Sequence, residues 1–386
     1  MLQERSRCMR YRKLGATGLE VSEIGLGAEW LERHTAEEVR QVVAYCEEKG
    51  INILDCWMSE PNVRSHIGAA IKGRRERWII QGHLGSTWQD GQYVRTRDLE
   101  KAKAAFADLL ERLGTDYIDL GMIHFVDEIA EYHRIMDGEF YAYAKELKEL
   151  GVIRHIGMST HNPAVARLAA ESGRIEMILF SINPAFDMLP ASENMEDYFK
   201  ETYDEQLGGI APERAELYKI CEKNNIGITV MKGYAGGRLF SAETSGVALT
   251  PVQCLHYALT RPGVASVMAG YDTIGHVDAA VAYETAAEEE KDYATVLSKA
   301  PAHAYYGQCT YCGHCAPCPA GIDIAMVNKL YDLAVMQPEV PAALKAHYDE
   351  LSANGRDCVG CKGCEARCPF GVAVSGRMEQ AADLFR

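Results

Sequence analysis

The alternation of short apolar runs with helical stretches limits the possible folds of this chain more than any other feature. From about residue 21 to residue 288, runs rich in β-branched residues alternate with longer segments in which apolar residues recur at helical spacing. Most of the runs are nearly continuous in apolar residues, which is typical of strands covered on both faces. The predicted strands are Val21–Gly27, Ile51–Cys56, Trp78–His83, Tyr117–His124, His155–Thr160, Met177–Asn183, Gly227–Lys232 and Val264–Gly270.

Eight such units predict an α/β fold, a (β/α)8 TIM barrel, because their number and total length match that architecture. A doubly wound sheet is the alternative, but no Gly-x-Gly-x-x-Gly turn follows the first strand. Before the barrel, Met9–Leu14 and Leu19–Val21 flank the glycine-rich turn Gly15–Gly18. This pattern predicts an N-terminal β-hairpin that closes the barrel floor.

Composition places the chain among globular proteins and narrows its partners. Of the 386 residues, 47% are hydrophobic and 25% are charged, and no apolar run approaches the length of a membrane helix. The net charge of -15 without a basic block argues against nucleic acid or an anionic membrane as partners. No apolar stretch follows the first basic residues, so we expect a cytoplasmic protein.

Eight of the 13 cysteines lie in two similar runs near the carboxyl end. Each run has three cysteines separated by two residues, followed by Cys-Pro, which is the pattern of a protein that binds two [4Fe-4S] clusters. In that pattern the cysteine before proline ligates the cluster of the other run. The predicted ligands are therefore Cys309, Cys312, Cys315 and Cys368 for one cluster, and Cys358, Cys361, Cys364 and Cys318 for the other.

Structural zinc is the alternative for these cysteines, but zinc sites usually combine two Cys-x-x-Cys pairs. One departure from the cluster pattern exists, since the first run has two residues before its fourth cysteine rather than three. We expect two domains: a barrel over residues 1–295, and a small C-terminal α-helical, ferredoxin-like iron-sulfur domain over residues 296–386. Ile324–Val335 is predicted to be a helix that packs on the barrel.

Several barrel segments resemble the aldo-keto reductases, in particular the bacterial branch with a C-terminal ferredoxin-like domain. The resemblance rests on segments 12–22, 50–55, 112–124, 156–161 and 231–232. It implies hydride transfer between NAD(P)H and a carbonyl, with a tyrosine as proton donor beside a lysine, a histidine and an aspartate.

Only part of that catalytic set is present in this chain. Asp55 and His124 occupy the aspartate and histidine positions, whereas Glu60 stands at the tyrosine position and His83 at the lysine position. We expect these four residues to share one pocket and to act as acid-base groups near neutral pH. A barrel that has lost catalysis is the alternative.

The resemblance also indicates where a nicotinamide would bind. The implied cofactor-binding residues are Ser159, Thr160, Asn183, Met231, Lys232 and Gly270. The segment after Gly270 lacks basic residues for the 2′-phosphate of NADP, and Asp272 would repel it, so NAD(H) is expected if a dinucleotide binds. The long segment from Pro184 to Gly209 is a candidate substrate lid.

These observations lead to one main hypothesis and two alternatives. The main hypothesis is an iron-sulfur oxidoreductase that acts on a small organic substrate, aromatic or carrying a carbonyl or hydroxyl, with electrons relayed by the clusters from a redox partner such as ferredoxin or flavodoxin. The first alternative is an NAD(H)-dependent carbonyl reductase. The second is a non-catalytic electron-transfer subunit whose barrel is a docking scaffold. The sequence leaves the oligomeric state open.

Overall fold

Eight parallel strands form a closed barrel, as the sequence predicts. The computed structural model describes residues 9–188, 211–242, 247–297, 299, 309, 315–335, 339–368 and 371–386. In chain order, the strands are β1 (Tyr11–Lys13), β2 (Glu20–Ser22), β3 (Ile24–Gly27), β4 (Ile53–Cys56), β5 (Ile79–Leu84), β6 (Ser86–Gln89), β7 (Gln92–Arg95), β8 (Ile118–Ile123), β9 (Ile153–Thr160), β10 (Met177–Ser181), β11 (Gly227–Met231) and β12 (Val264–Gly270).

The barrel strands pair in sequence order, and the ring closes where β12 pairs with β3. In chain order, the helices are α1 (Ala36–Glu48), α2 (Pro61–Ile71), α3 (Leu99–Leu113), α4 (Ile129–Met136), α5 (Glu139–Glu149), α6 (Pro163–Glu171), α7 (Pro184–Met188), α8 (Pro212–Lys223), α9 (Pro251–Leu259), α10 (Ile274–Val281), α11 (Glu288–Lys291), α12 (Tyr293–Leu297), α13 (Ile324–Val335), α14 (Ala342–Asp349), α15 (Gly363–Arg367) and α16 (Val374–Leu384). In the part of the chain that the structure describes, no helix is long and apolar enough to cross a membrane.

The outer helices follow from their sequences, as α3 illustrates. Asp98 caps its first turn by accepting a hydrogen bond from the Lys101 backbone N–H at 3.1 Å, and Gly114 ends it with φ of 64°. Its buried apolar residues recur at helical spacing and face the barrel. They are Ala102, Phe106, Leu109 and Leu113.

The predicted hairpin, formed by β1 and β2, closes the barrel floor. The Leu14 side chain is fully buried in a cluster with barrel residues that include Ile53 and Leu120. The turn is tight enough to require glycine, because a Cβ on Gly15 would lie 2.2 Å from the backbone nitrogen of Gly227. The predicted first strand divides at Glu23, which separates β2 from β3. The Glu23 carboxylate accepts a 2.6 Å hydrogen bond from Arg12.

A second hairpin was not expected from the sequence. β6 and β7 pair antiparallel in the connection between β5 and α3, with Asp90 and Gly91 at the turn, both at positive φ. Asp-Gly between two β-rich runs is a strong hairpin signal, so the sequence contained the information. The hairpin matters because it lies at the carboxyl ends of the strands.

Helix α13 spans the residues predicted to be helical, Ile324–Val335, and packs on α8 of the barrel. Lys329 pairs with Glu222 at 2.7 Å, and Asp332 lies 3.7 Å from Lys219. Because higher residue numbers on α13 meet lower ones on α8, the two helices are antiparallel. α8 descends from the mouth to the floor, so α13 begins at the floor end of the barrel.

The floor should tolerate little loss of volume. We expect Leu14→Ala to lower the free energy of unfolding by about 2–5 kcal/mol, because it removes a fully buried side chain. Leu150→Ala is the matched control, since Leu150 is 68% exposed and should change stability by less than about 0.5 kcal/mol. Urea unfolding followed by circular dichroism measures both, and equal effects would show that Leu14 does not hold the floor.

Candidate functional site

A cavity of about 480 Å³ opens at the mouth of the barrel, where the carboxyl ends of the strands converge. Strand-end residues line its base, and the loops after β3, β11 and β12 line its sides. Asp55, His83 and His124 all contribute to it, as the sequence predicted. A site of this size with a few convergent polar groups is a common form of small-molecule pocket.

These three side chains form one hydrogen-bonded series at the cavity base. His83 Nε2 lies 2.9 Å from Asp55 Oδ1, and His83 Nδ1 lies 2.8 Å from His124 Nδ1. All three residues are almost fully buried. Gln81 fixes the carboxylate further, because its amide donates to Asp55 Oδ1 at 2.8 Å. The series is therefore rigid and shielded from solvent.

The unexpected hairpin adds a tyrosine to this series. Tyr93 on β7 lines the cavity, and its hydroxyl lies 2.6 Å from His124 Nε2. The complete series therefore runs from Asp55 through both histidines to a phenol. We call these residues, Asp55, His83, His124 and Tyr93, the relay.

Burial controls the protonation of His124 and Tyr93, the two relay residues farthest from Asp55 in the series. It lowers the pKa of His124 well below the usual 6.5, with help from the charges of His83 and Arg97. It also raises the pKa of Tyr93 to about 12, although Arg95 and Arg97 oppose that shift. At neutral pH His124 is therefore uncharged and Tyr93 keeps its proton.

The relay can carry a proton because each ring nitrogen has a partner. If His83 is protonated and paired with Asp55, its Nδ1–H donates to His124 Nδ1. His124 Nε2–H then donates to the Tyr93 oxygen, which leaves the phenol proton available to a group in the cavity. Transfer of that proton can be followed by a shift of one proton along each bond, which leaves His83 neutral.

Glu60 lies apart from this series. It does not line the cavity, and its carboxylate caps α2 by accepting a 2.6 Å hydrogen bond from the Val63 backbone N–H. A glutamate just before Pro61 at the first turn of a helix is well placed for that role. The structure therefore brings together three of the four predicted acid-base residues and adds Tyr93.

The predicted cofactor residues divide into two groups. Ser159, Met231, Lys232 and Gly270 line the cavity. Thr160 and Asn183 are fully buried behind it, where Thr160 donates to Asp127 at 2.9 Å and Asn183 donates to the Lys232 backbone oxygen at 2.8 Å. The second group can support the wall of the cavity but does not face it.

Gly270 allows a close approach at the side wall. A Cβ at this position would lie 2.3 Å from Cδ1 of Trp30, so only glycine admits the indole against the strand end. Asp272 also lines the cavity, with one carboxylate oxygen 3.2 Å from His34 Nε2. Aromatic groups lie around the relay as well, since Trp57 stacks on His124 with ring centroids 5.7 Å apart.

Four cysteines of the two runs lie beside the start of α13. Cys318, Cys358, Cys361 and Cys364 line one small cavity, together with Lys362 and Arg367. Cys309, Cys315 and Cys368 are partly buried beside the hydrophobic core. Cys312 and residues 189–209 of the candidate lid lie outside the described residues. Within the described ranges, no three His, Cys, Asp or Glu side chains meet as a metal site.

Comparisons with a family model, with curated proteins and with solved structures all indicate the same family. The model of the Aldo/keto reductase family matches residues 23–253. The uncharacterized oxidoreductase YqkF of Bacillus subtilis is 29% identical over 284 residues, which cover 69% of this chain and 88% of that protein. The NADH-specific methylglyoxal reductase of Escherichia coli is 26% identical over 190 residues, which cover 44% of this chain and 58% of that protein. Aldo-keto reductase AKR11C1 of Bacillus halodurans, in its holo form, shares the fold with a TM-score of 0.58 at 24% identity, over 77% of this chain and 99% of that one.

The neutral state of His124 predicts a pH-dependent stability. Its folded pKa is lowered, so below about pH 6.5 the unfolded chain binds more protons and stability falls as pH falls. We expect this one group to contribute a slope of up to about 1.4 kcal/mol per pH unit below pH 6.5. Urea unfolding at pH 7.5 and 5.5 should show a smaller decrease for His124→Gln than for the parent protein.

The exposed His133 on α4 provides the control for this experiment. His133→Gln should keep the parent slope, because this side chain is exposed to solvent and lies outside the relay. An unchanged slope in His124→Gln would contradict the assignment of a buried neutral imidazole.

Proposed function

The chain belongs to the aldo/keto reductase family of oxidoreductases, and on that premise we propose that its barrel reduces a small carbonyl compound with NAD(H). The observation that carries this proposal is the phenol of Tyr93 at the end of a buried series of hydrogen bonds, facing a cavity large enough for a substrate. The family's tyrosine acid thus has a counterpart that arises from a different loop. This favours carbonyl reduction over a reaction that dispenses with a tyrosine.

The residues of the chain account for the proton half of the reaction. Bound NADH would supply the hydride to the carbonyl carbon. Tyr93 donates a proton to the carbonyl oxygen, and His124 and His83 restore that proton while Asp55 balances the charge of His83. Burial excludes water from the base of the site, which strengthens each of these interactions.

The wall of the cavity fits a dinucleotide without a 2′-phosphate. Ser159 faces the relay end, and the glycine-rich loop that contains Gly233, Gly236 and Gly237 lines the side wall. Asp272, at the far wall beside the start of α10, would repel an added phosphate. NADH is therefore preferred to NADPH in this proposal.

Tyr93→Phe tests the proton donor. We expect kcat for NADH-dependent reduction of an aldehyde to fall about 100-fold to 10,000-fold, the usual contribution of a positioned acid, while KM changes little. Tyr143→Phe is the matched control, since Tyr143 lies on α5 away from the cavity. Steady-state NADH oxidation measures both variants, and near-parent activity in Tyr93→Phe would exclude this residue as the acid.

We further propose that the C-terminal segment binds two [4Fe-4S] clusters on its eight cysteines. The four cysteines that share one cavity come from both runs, which agrees with the crossed ligand set of two-cluster proteins. Lys362 and Arg367 beside them would offset the negative charge of a thiolate-bound cluster. Arg367 also ties the runs together by donating to the backbone oxygens of Cys315 and Pro317 at 2.6 and 2.7 Å.

The position of this cavity bears on what the clusters do. It adjoins the start of α13 at the floor end, whereas the relay lies at the mouth. This separation favours exchange of electrons with a docked redox partner, such as ferredoxin or flavodoxin, over direct reduction of a substrate in the barrel. If reduced ferredoxin drives substrate loss and NADH does not, the cluster-driven reaction replaces the nicotinamide proposal.

Iron content tests the cluster proposal. Anaerobically purified protein should contain about eight irons per chain, and the double variant Cys358→Ser with Cys361→Ser should contain about four. Cys8→Ser is the control because Cys8 lies outside both runs, and it should keep the parent iron content. Stoichiometric zinc in place of iron would contradict the proposal.

A further inference from the structure

A histidine outside the relay also lines the cavity and has its own carboxylate. His161 is 5% exposed and lines the cavity, and its Nδ1 lies 2.9 Å from Asp127 Oδ2. Asp127 also accepts from the His161 backbone N–H at 2.7 Å and from the Thr160 hydroxyl at 2.9 Å. These bonds fix both the carboxylate and the ring, so the direction of the free ring edge is set.

The other ring nitrogen of His161 remains available. Among the described residues, none hydrogen-bonds to His161 Nε2, although the residue is almost completely enclosed. A polar atom in this position on a cavity wall can bond only to water or to a bound molecule. When the ring is neutral and Nδ1 donates to Asp127, Nε2 presents a lone pair and accepts a hydrogen bond.

An aromatic side chain separates this histidine from the relay. The Phe125 ring centroid lies 6.1 Å from that of His124 and 5.1 Å from that of His161. Phe125 has φ of 51°, an unusual value for a bulky residue, and its carbonyl accepts from Arg95 and Arg97 at 2.9 and 2.8 Å. The backbone is thus held in a strained form that places the ring between two polar groups.

The charge of the cavity distinguishes among possible partners of His161. Three carboxylates line it, those of Glu29, Asp55 and Asp272, against one lysine, Lys232. Charge near the ring matters most, because Asp127 lies directly behind His161, so a second carboxylate at Nε2 would be repelled whereas a neutral hydroxyl would not. A hydroxyl can donate a hydrogen bond to Nε2 when the ring proton is on Nδ1.

We propose that His161 accepts a hydrogen bond from a hydroxyl group of the substrate, and that the substrate is a hydroxylated aromatic aldehyde or ketone. Its ring packs on Phe125 and Trp57, its carbonyl oxygen meets Tyr93, and its hydroxyl meets His161. This inference rests on the proposed carbonyl reduction and names its substrate class.

Paired substrates test the inference. The measurement is kcat/KM with NADH for 3- and 4-hydroxybenzaldehyde, each relative to the methylbenzaldehyde of the same substitution. For at least one position, this ratio should fall about tenfold in His161→Leu, because one hydrogen bond is lost for the hydroxyl compound only. Asp127→Asn should lower the same ratio, since His161 loses the carboxylate that holds a ring proton on Nδ1. His133→Leu, on the outer surface, should leave it unchanged.

Two results would overturn the inference. One is a hydroxyl-to-methyl ratio that is the same in the parent protein and His161→Leu at both positions. The other is a parent preference for 4-carboxybenzaldehyde over both hydroxyl compounds.

Binding separates this inference from the proposed function. If no aldehyde is reduced, the carbonyl reductase proposal fails, and quenching of tryptophan fluorescence still gives the dissociation constants of the same compounds. A hydroxyl preference in binding that disappears in His161→Leu supports the role of His161 even then, and its absence overturns that role. Thermal unfolding of each variant confirms that the comparison is made on folded protein.

Discussion

Closure of the parallel barrel is the constraint on which the rest of the molecule depends. Pairing of β12 with β3 completes the ring, so the carboxyl ends of all eight strands meet around one mouth. Residues far apart in sequence, such as Asp55 and His124, thereby come within two hydrogen bonds of each other. The floor hairpin fills the opposite end with Leu14, which leaves the mouth as the entrance to the interior.

In the proposed mechanism, the buried pair of His83 and Asp55 takes the place of the family's lysine. A lysine beside a tyrosine would lower the phenol's pKa directly, but here two imidazoles lie between Asp55 and Tyr93. Burial lowers the pKa of His124, which keeps that imidazole neutral, and His83 is the histidine that lies next to the carboxylate. Tyr93 ends the series at the cavity, and the pair of His83 and Asp55 lies at its other, buried end.

Much of the fold could be predicted because its causes are local. Apolar runs, helical periodicity and capping residues such as Asp98 specify the elements, and their count specifies the barrel. The split of the first strand at Glu23 was missed, because a continuous apolar run does not reveal that β2 pairs with β1 while β3 pairs with β4 and β12. Asp55, His83 and His124 were assigned to one pocket from the family resemblance and their places at strand ends, and all three line the cavity. Tyr93 was missed because its role requires the hairpin to fold back over the mouth, and Glu60 was assigned to the pocket because spacing along the chain does not reveal a helix cap.

The central claim is that the Tyr93 hydroxyl is the group that meets the reacting oxygen. A crystal structure of the protein with NAD and benzamide, a carbonyl analogue that is not readily reduced, tests it most directly. The account predicts the amide oxygen within about 2.6–3.2 Å of the Tyr93 hydroxyl, with His124 on the other side of the phenol. An amide oxygen bound elsewhere in the cavity, with Tyr93 directed away from it, would contradict the account.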